Sequence, residues 1–123
     1  MTNLGETEQV YWIVTGTINP GQEAAFRAIS ARLVESTQDE PGALNYEWSI
    51  APDGRTFHIF ERYADSGAVM LHRERSGPLV KELYALATRK SFTVYGNPSK
   101  EVNELLISRD PLAMKPLGGF SRP

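Results

Sequence analysis

The sequence predicts an α+β protein of the ferredoxin-like class, with the element order βαββαβ and a C-terminal extension. Two observations lead to this class. Four segments rich in β-branched and aromatic residues alternate, in that order, with segments whose apolar residues recur at helical spacing. The length of 123 residues suits one domain with one core. We therefore expect an antiparallel four-stranded sheet with both helices on one face.

The first strand is predicted over Val10 to Ile18, where β-branched and aromatic residues suit a pleated surface. A helix is predicted next, ending near Thr37. Asn19 is expected to cap it, with Pro20 in the first helical position and Gln22 completing a capping box. The apolar residues of this helix form one stripe, which predicts that it packs against the sheet.

Two strands joined by a hairpin are predicted in the middle of the chain. The segment Glu40 to Gly42 ends the first helix, because the residue before a proline disfavours helical geometry. The strands are predicted over Ala43 to Ile50 and Thr56 to Ala64, and Asp53 and Gly54 between them are typical of a tight turn. The helices are expected to cover the strand face that carries Phe57, Ile59, Glu61 and Tyr63.

The second half begins with Asp65, which is expected to cap a helical region that Ser76 to Pro78 divides into two pieces. A fourth strand is predicted over Ser91 to Pro98. We assign residues 1–97 to the ferredoxin-like domain and residues 98–123 to the extension, a short helix followed by an arm. Because the arm is too apolar for a free tail, we expect it to pack on a partner subunit and cover a pocket mouth.

Composition excludes several classes of function. Thirteen basic and fifteen acidic residues give a formal charge of -2, which is a poor match for nucleic acid. The absence of cysteine excludes thiolate nucleophiles and thiolate metal sites, and two histidines without paired spacing argue against any metal. The N-terminus has acidic residues and no apolar run, so we expect a cytoplasmic protein that does not span a membrane.

Four segments in order, EPGALNYEWS, FERYAD, LHRERSGP and a strand ending in VYG, resemble the antibiotic biosynthesis monooxygenase (ABM) domain. The resemblance covers roughly residues 10–96. It implies a dimeric α+β barrel, that is, a homodimer whose sheets face each other, with a pocket between sheet and helices in each subunit. The family includes cofactor-independent monooxygenases of electron-rich phenols, quinol monooxygenases and haem-degrading enzymes.

Single residues of this chain, compared with the corresponding residues of the family, argue against some of these activities. Its E-R-[WY] motif falls on Glu61, Arg62 and Tyr63, with tyrosine where the antibiotic enzymes usually have tryptophan. An asparagine and a pocket tyrosine of one branch fall on Ile59 and near Val69, which argues against the tetracenone-type substrate of that branch. The histidine that binds haem iron in another branch has no counterpart in the second helical piece. The resemblance therefore implies no cofactor.

His72 and Glu61 are the candidate catalytic residues. In a pocket, His72 can accept a phenolic proton, although a helix histidine often only binds a neighbouring carbonyl or carboxylate. Glu61 is expected to be buried and to orient His72 or relay its proton. Alternatively, Glu61 forms an ion pair with Arg73 or Arg27.

The candidate substrate-binding residues are Tyr63, Tyr46, Ile59 and Val69. The two tyrosine rings can stack on a planar substrate and direct its hydroxyl groups, or they can simply belong to the core. Trp48 is interpreted as a core or dimer-face ring. The sequence leaves open which sheet face carries Tyr46 and Trp48.

The sequence thus predicts a homodimeric, cofactor-independent monooxygenase that oxidises a quinol or polyphenolic aromatic molecule with O2. One alternative is a non-catalytic barrel that binds an unknown ligand or serves in a stress response. Another is an enzyme of a different type on the same fold, such as an isomerase or a lyase. An apolar pocket beside His72 and Glu61 would favour an enzyme, and a filled gap would favour a binding protein.

Overall fold

The computed structural model of the chain describes residues 2–123. In chain order its elements are β1 (Thr2–Asn3), β2 (Val10–Ile18), α1 (Glu23–Gln38), β3 (Ala43–Ile50), β4 (Thr56–Tyr63), α2 (Ser66–Leu86), β5 (Ala87–Gly96), α3 (Lys100–Leu106), β6 (Leu112–Met114) and β7 (Phe120–Ser121). Short 3₁₀ helices occupy Leu4–Glu6 and Ile107–Arg109. From β2 to β5 the order is βαββαβ, so the predicted ferredoxin-like α+β fold is confirmed.

The main sheet has five strands in the spatial order β3-β4-β2-β5-β6. Each neighbouring pair among the first four strands is antiparallel, as predicted. Strand β6 adds a short parallel strand at the edge of β5. The remaining two strands, β1 and β7, pair with each other and so bring the two ends of the chain together. The sequence did not predict β6 or β7, because isolated segments of two or three residues carry no periodic pattern.

The helices cover one face of the sheet. Along β2 every second residue is buried, from Val10 to Ile18. On that face the core combines sheet residues with apolar residues of the helices: Trp12, Val14, Phe57, Ile59, Tyr63, Phe92, Phe26, Leu33, Val69 and Leu83. On the opposite, open face the side chains are only half-buried, and there Tyr11 and Tyr95 stack with ring centroids 5.3 Å apart.

Helix α1 begins later than predicted. The carbonyl of Asn19 accepts a hydrogen bond from the N–H of Gln22, which closes a turn, and α1 starts at Glu23 without a side-chain cap. The predicted cap at Asn19 is therefore wrong. The physical reason is Gly21, whose φ of 80° is incompatible with a right-handed helix. The predicted end near Thr37 is confirmed.

Helix α2 is continuous, so the predicted break at Ser76 to Pro78 is also wrong. The carboxylate of Asp65 accepts a hydrogen bond from the N–H of Ala68 and caps the helix, as predicted. Pro78 lies inside the helix, where it removes only one backbone hydrogen bond. Burial of α2 side chains against the sheet outweighs that loss, because tertiary packing supplies most of the stability of a helix in a protein.

Strand β5 starts at Ala87, directly after α2, rather than at the predicted Ser91. Its first residues pair with the end of β2, and the register shifts between Thr15 and Gly16. Pairing with β2 therefore extends this strand through Arg89 and Lys90, although long charged residues are not strong strand formers.

The C-terminal extension packs on its own chain. The hydroxyl oxygen of Ser99 accepts a hydrogen bond from the N–H of Val102 and caps α3, whose Val102 and Leu106 are buried. Packing of the arm on a partner subunit stays a prediction.

Within residues 2–123, every helix is too short or too polar to cross a membrane.

Candidate active site

A cavity of about 420 Å³ lies between the helix-covered face of the sheet, α2 and the extension. The sheet contributes Trp12, Val14, Tyr46, Trp48, Ile59 and Glu61 to its lining. Helix α2 and the extension contribute Val69, His72, Ser76, Leu83, Tyr84, Leu105 and Arg109, among others. This volume is within the range of small-molecule sites, and the lining combines apolar and aromatic side chains with several polar and charged ones.

The pairing of β3 with β4 decides which side chains face the cavity. Tyr46 pairs with Glu61, and Trp48 pairs with Ile59. Because directly paired residues point to the same face of a sheet, all four side chains face the helices. The sequence left open which sheet face carries Tyr46 and Trp48. Both lie on the helix-covered face and line the cavity.

His72 is held between two glutamates. Its Nδ1 lies 3.0 Å from Oε1 of Glu40, and its Nε2 lies 3.6 Å from Oε1 of Glu61. The hydroxyl of Tyr63 donates a hydrogen bond of 2.6 Å to Oε1 of Glu61. The hydroxyl of Ser76 lies 3.4 Å from Nδ1, the ring nitrogen that also faces Glu40. We call these five residues, Glu40, Glu61, Tyr63, His72 and Ser76, the acid–base cluster.

Glu40 owes its position to the turn that ends α1. Its N–H donates to the carbonyl of Thr37, and its own carbonyl accepts from the N–H of Ala43, each at 3.0 Å. The side chain is directed inward, and only 3% of the residue is exposed. The turn that starts β3 thus also fixes the carboxyl group against His72.

Burial favours the uncharged form of each titratable group in the cluster. Burial raises the pKa of Glu40 and of Glu61, although the hydrogen bond from Tyr63 opposes the shift at Glu61. Burial lowers the pKa of His72 to about 4, and the charges of Arg109 and Arg75 act in the same direction. A carboxylate 3.0 Å away would by itself favour the imidazolium, but desolvation dominates. The imidazole is therefore neutral at neutral pH and can accept a proton.

Aromatic rings surround His72 on the sheet side. The ring centroids of Tyr46 and Tyr63 lie 5.3 and 5.2 Å from that of His72, and Trp48 packs on Tyr46 at 5.8 Å. Burial raises the pKa of both tyrosines, so their hydroxyl groups stay protonated. Among residues 2–123, Nε1 of Trp48 is buried without a hydrogen-bond partner. This N–H is available to an oxygen atom of a bound molecule.

The structure brings most of the predicted site residues together. His72, Glu61, Tyr46, Ile59 and Val69 all line the cavity. The predicted alternative for Glu61, an ion pair with an arginine, is absent from the described part of the chain, where its partners are a tyrosine and His72.

Tyr63 occupies a different position from the other predicted site residues. It is fully buried beside Glu61 and does not contribute to the cavity lining. This position suits a role in holding the Glu61 carboxyl group. The predicted stacking of its ring on a substrate stays a prediction.

Sequence reasoning missed Glu40, Ser76, Tyr84 and Arg109 as site residues and assigned Trp48 to packing. Glu40 lies 32 positions before His72, so no local spacing connects the two residues. The available signal was the position of Glu40 within the segment EPGALNYEWS, directly before the Pro-Gly turn. Arg109 had no comparable signal, because the tail around it has no periodic pattern.

Two comparisons relate the chain to known proteins. The family model ABM, antibiotic biosynthesis monooxygenase, matches residues 10–79. The structure is similar to that of MupZ from Pseudomonas fluorescens, with 26% sequence identity, a TM-score of 0.83, and coverage of 95% of this chain and 97% of that chain. A match of this coverage includes most of the C-terminal extension. No curated protein matches the chain.

Two further solved structures cover a smaller part of the chain. SnoaB, a cofactor-independent oxygenase from Streptomyces nogalater, is 18% identical, with a TM-score of 0.63 and coverage of 76% of this chain and 97% of that chain. Rv0793 from Mycobacterium tuberculosis is 25% identical, with a TM-score of 0.64 and coverage of 75% and 97%. At 18% identity, the likeness to SnoaB shows a shared fold.

Proposed function

Because the chain belongs to the antibiotic biosynthesis monooxygenase family, we propose that it is a cofactor-independent monooxygenase that oxidises a quinol or polyphenolic aromatic molecule with O2. The observation that carries the proposal is the position of His72, held between two buried glutamates on the wall of an aromatic-lined cavity. This cavity favours an enzyme over a barrel whose interior is filled by its own side chains.

His72 is the proposed general base. With Nδ1–H donating to Glu40, Nε2 carries the lone pair, and Oε1 of Glu61, 3.6 Å away, is beyond hydrogen-bond distance, so Nε2 can accept the proton of a substrate hydroxyl. Glu40 then fixes the tautomer and stabilises the imidazolium that forms, as a carboxylate does in a hydrolytic triad. Burial supports this role because it keeps the resting imidazole neutral.

The substrate itself supplies the electrons. Loss of the hydroxyl proton to Nε2 gives a phenolate, which transfers one electron to O2, and the resulting radical pair combines to form a carbon–oxygen bond. The proton held by His72 returns to the peroxide, whose O–O bond then breaks with loss of water. A quinol and O2 thus give a hydroxyquinone and water, with one oxygen atom in each product. The protein contributes burial, orientation and proton transfer.

The rings of the cavity are proposed to hold the substrate plane. Tyr46 and Trp48 present adjacent aromatic surfaces from β3, and Tyr84 lies across from them on α2. Rings in such positions stack on a planar molecule at favourable offset geometry. The indole N–H of Trp48 can donate to a substrate oxygen and so orient the ring.

Oxygen uptake by the purified protein with a panel of quinols and anthrones tests this function. We expect uptake by the wild type and a loss of roughly a hundredfold or more in kcat for His72→Ala. His58→Ala is the matched control, because His58 is the second histidine of the chain and is exposed away from the cavity. Uptake on no substrate, or equal rates for wild type and His72→Ala, would refute the proposal.

A second candidate is an isomerase, and the two carboxyl groups favour it. Burial raises the pKa of Glu61 as well as that of Glu40, so the cluster holds a proton donor on one side of the base. Such a pair suits removal of a proton from carbon next to a carbonyl and its return at another carbon, a reaction without O2. Deuterium incorporation from D2O under anaerobic conditions, without oxygen uptake in air, would support the isomerase over the monooxygenase.

A further inference from the structure

We propose that the molecule bound in the cavity carries an anionic group, a carboxylate or a phosphate ester, and that Arg109 of the C-terminal extension binds this group. The inference deepens the proposed function, because it names the substrate class of the same cavity. Arg109 lies outside residues 10–79, the part of the chain that the family model matches. The anion site is therefore a feature of the extension.

The fold holds Arg109 in place at the cavity. It is the last residue of the 3₁₀ helix Ile107–Arg109, which continues directly from α3. Val102 and Leu106 anchor α3, with exposures of 0% and 2%. The next residue, Asp110, adopts a left-handed conformation with φ 50° and ψ 59°, which ends the helix and turns the chain towards β6. Arg109 thus lies between a helix anchored by two buried side chains and a strand of the sheet.

The guanidinium group of Arg109 has no carboxylate partner within 4.0 Å in residues 2–123. The guanidinium group packs against the ring of Phe92, whose centroid is 5.9 Å from Cζ. A cation–π contact of this kind uses the face of the group and leaves its N–H donors available. Arg109 is half-buried and lines the cavity, so these donors can serve a bound molecule.

Within residues 2–123, no carboxyl group of the acid–base cluster lies within 4.0 Å of the Arg109 guanidinium group. Burial raises the pKa of Glu61, the cluster carboxyl group whose titration Arg109 influences, and so favours its neutral form. At the cavity rim, Arg73 and Glu74 carry opposite charges. Arg109 is therefore a positive charge that forms no ion pair among residues 2–123, on the wall of a cavity that combines apolar and charged side chains.

Positive charge continues outside the cavity. Arg109 also lines a second, smaller pocket of about 250 Å³, together with Arg89 and Lys90 of β5 and the acidic Asp110. An anion that reaches Arg109 thus meets two further cations and one carboxylate, so the basic side chains outnumber the acidic one in this region. A guanidinium binds carboxylate and phosphate oxygens through paired N–H donors, which fixes orientation as well as charge. We infer that the anion is held at the extension while the reacting ring faces His72.

A matched pair of fluorescent probes tests the proposal: 8-anilinonaphthalene-1-sulfonate, whose sulfonate stands in for the anion, and the uncharged N-phenyl-1-naphthylamine. The wild type should bind the sulfonate more tightly, and added NaCl should weaken only that probe. In Arg109→Gln the Kd of the sulfonate should rise about tenfold or more, while the Kd of the uncharged probe stays within about twofold.

Two further variants separate charge from structure. Arg109→Lys should retain most of the affinity for the sulfonate, because it keeps the charge. Arg32→Gln, on the exposed side of α1, should leave both dissociation constants unchanged. If Arg109→Gln weakens both probes equally or neither, or if salt affects both alike in the wild type, the proposal is wrong. Binding is measured without turnover, so failure of the monooxygenase assay leaves this test intact.

Displacement of the sulfonate probe identifies the anion. We expect 1-naphthoate or 1-naphthyl phosphate to displace it at a concentration about tenfold or more below that of 1-naphthol. The tighter of the two acids shows whether the site prefers a carboxylate or a phosphate. Equal displacement by the uncharged naphthol and both acids would overturn the proposal.

Discussion

His72 shows how burial and a short contact compete at one residue. The carboxyl group of Glu40 lies within hydrogen-bond distance of Nδ1, yet desolvation of the ring acts against protonation. A residue in this balance differs from a surface ion pair, in which both groups stay charged. The same balance keeps the imidazole ready to accept a proton, and it gives His72 a measurable effect on stability.

Stability should therefore depend on pH through His72. Its pKa is lowered from 6.5 to about 4 in the folded chain. Between these values the unfolded chain binds a proton at His72 and the folded chain does not, so stability is lost as the pH falls. Urea unfolding of wild type and His72→Gln should show the wild type losing about 2 kcal/mol relative to the variant between pH 7 and pH 5.

The wild type must be compared with His72→Gln, because Glu40 and Glu61 change the stability with pH in the opposite sense to His72. Their raised pKa values mean that the folded chain binds protons first, so their contribution is lost as the pH rises. If His72 were an imidazolium paired with Glu40, the wild type would gain stability relative to His72→Gln on acidification. That result would contradict the assignment of a neutral imidazole.

Helix α2 links stability to the cavity at the level of one element. It carries His72 and Ser76 on its buried side, and Pro78 follows Ser76 two positions later. Pro78 has no N–H to donate to the carbonyl of Glu74, a residue of the cavity rim. A helix without this interruption would be more stable, so the proline is a cost that packing of α2 on the sheet offsets.

Pro78→Ala should raise the free energy of unfolding by about 1 kcal/mol or more, because alanine restores the missing hydrogen bond and has a higher helix propensity. Thermal unfolding followed by circular dichroism should show a higher Tm. Pro20→Ala is the control, since Pro20 lies in the exposed turn before α1 and its loss only frees the unfolded chain. Equal destabilisation by the two substitutions would contradict the expectation.

At the level of the whole molecule, the open face of the sheet is the surface that suggests association with a second subunit. It carries half-buried rings and apolar side chains that no helix covers: Tyr11, Ile13, Phe60 and Tyr95. Arg62 on the same face donates a hydrogen bond of 2.6 Å to Asn45. A surface of this composition suits association with an identical sheet, so we propose that the protein is a homodimer.

Phe60→Asp should dissociate this dimer, because a carboxylate buried without a partner costs about 3 kcal/mol or more, equivalent to a hundredfold rise in Kd. Sedimentation velocity measures the change. Leu71→Asp is the control, since Leu71 is an exposed apolar residue on the helical side, 43% accessible. A monomeric wild type, or a dimer unaffected by Phe60→Asp, would contradict the proposal.

Much of the architecture followed from local pattern. The strand Val10–Ile18, the turn at Pro41 and Gly42 and the cap at Asp65 each depend mainly on near neighbours in the chain, and the sequence predicted them. The wrong cap at Asn19 has a local cause in Gly21, whereas the other errors arose where distant contacts prevail over local preference. Pro78 stays within a helix because the sheet holds it, and β6 forms because β5 offers an edge.

The sequence by itself determined the βαββαβ order and the family, because periodicity and short motifs encode them, whereas it left open whether Glu61 meets His72 or an arginine. Only the tertiary structure decided that Glu40 and Arg109 reach the same cavity. Those residues lie far from His72 along the chain, and their side chains are placed by turns and packing that no local spacing records. A site assembled from distant segments is specified by the closure of the whole fold.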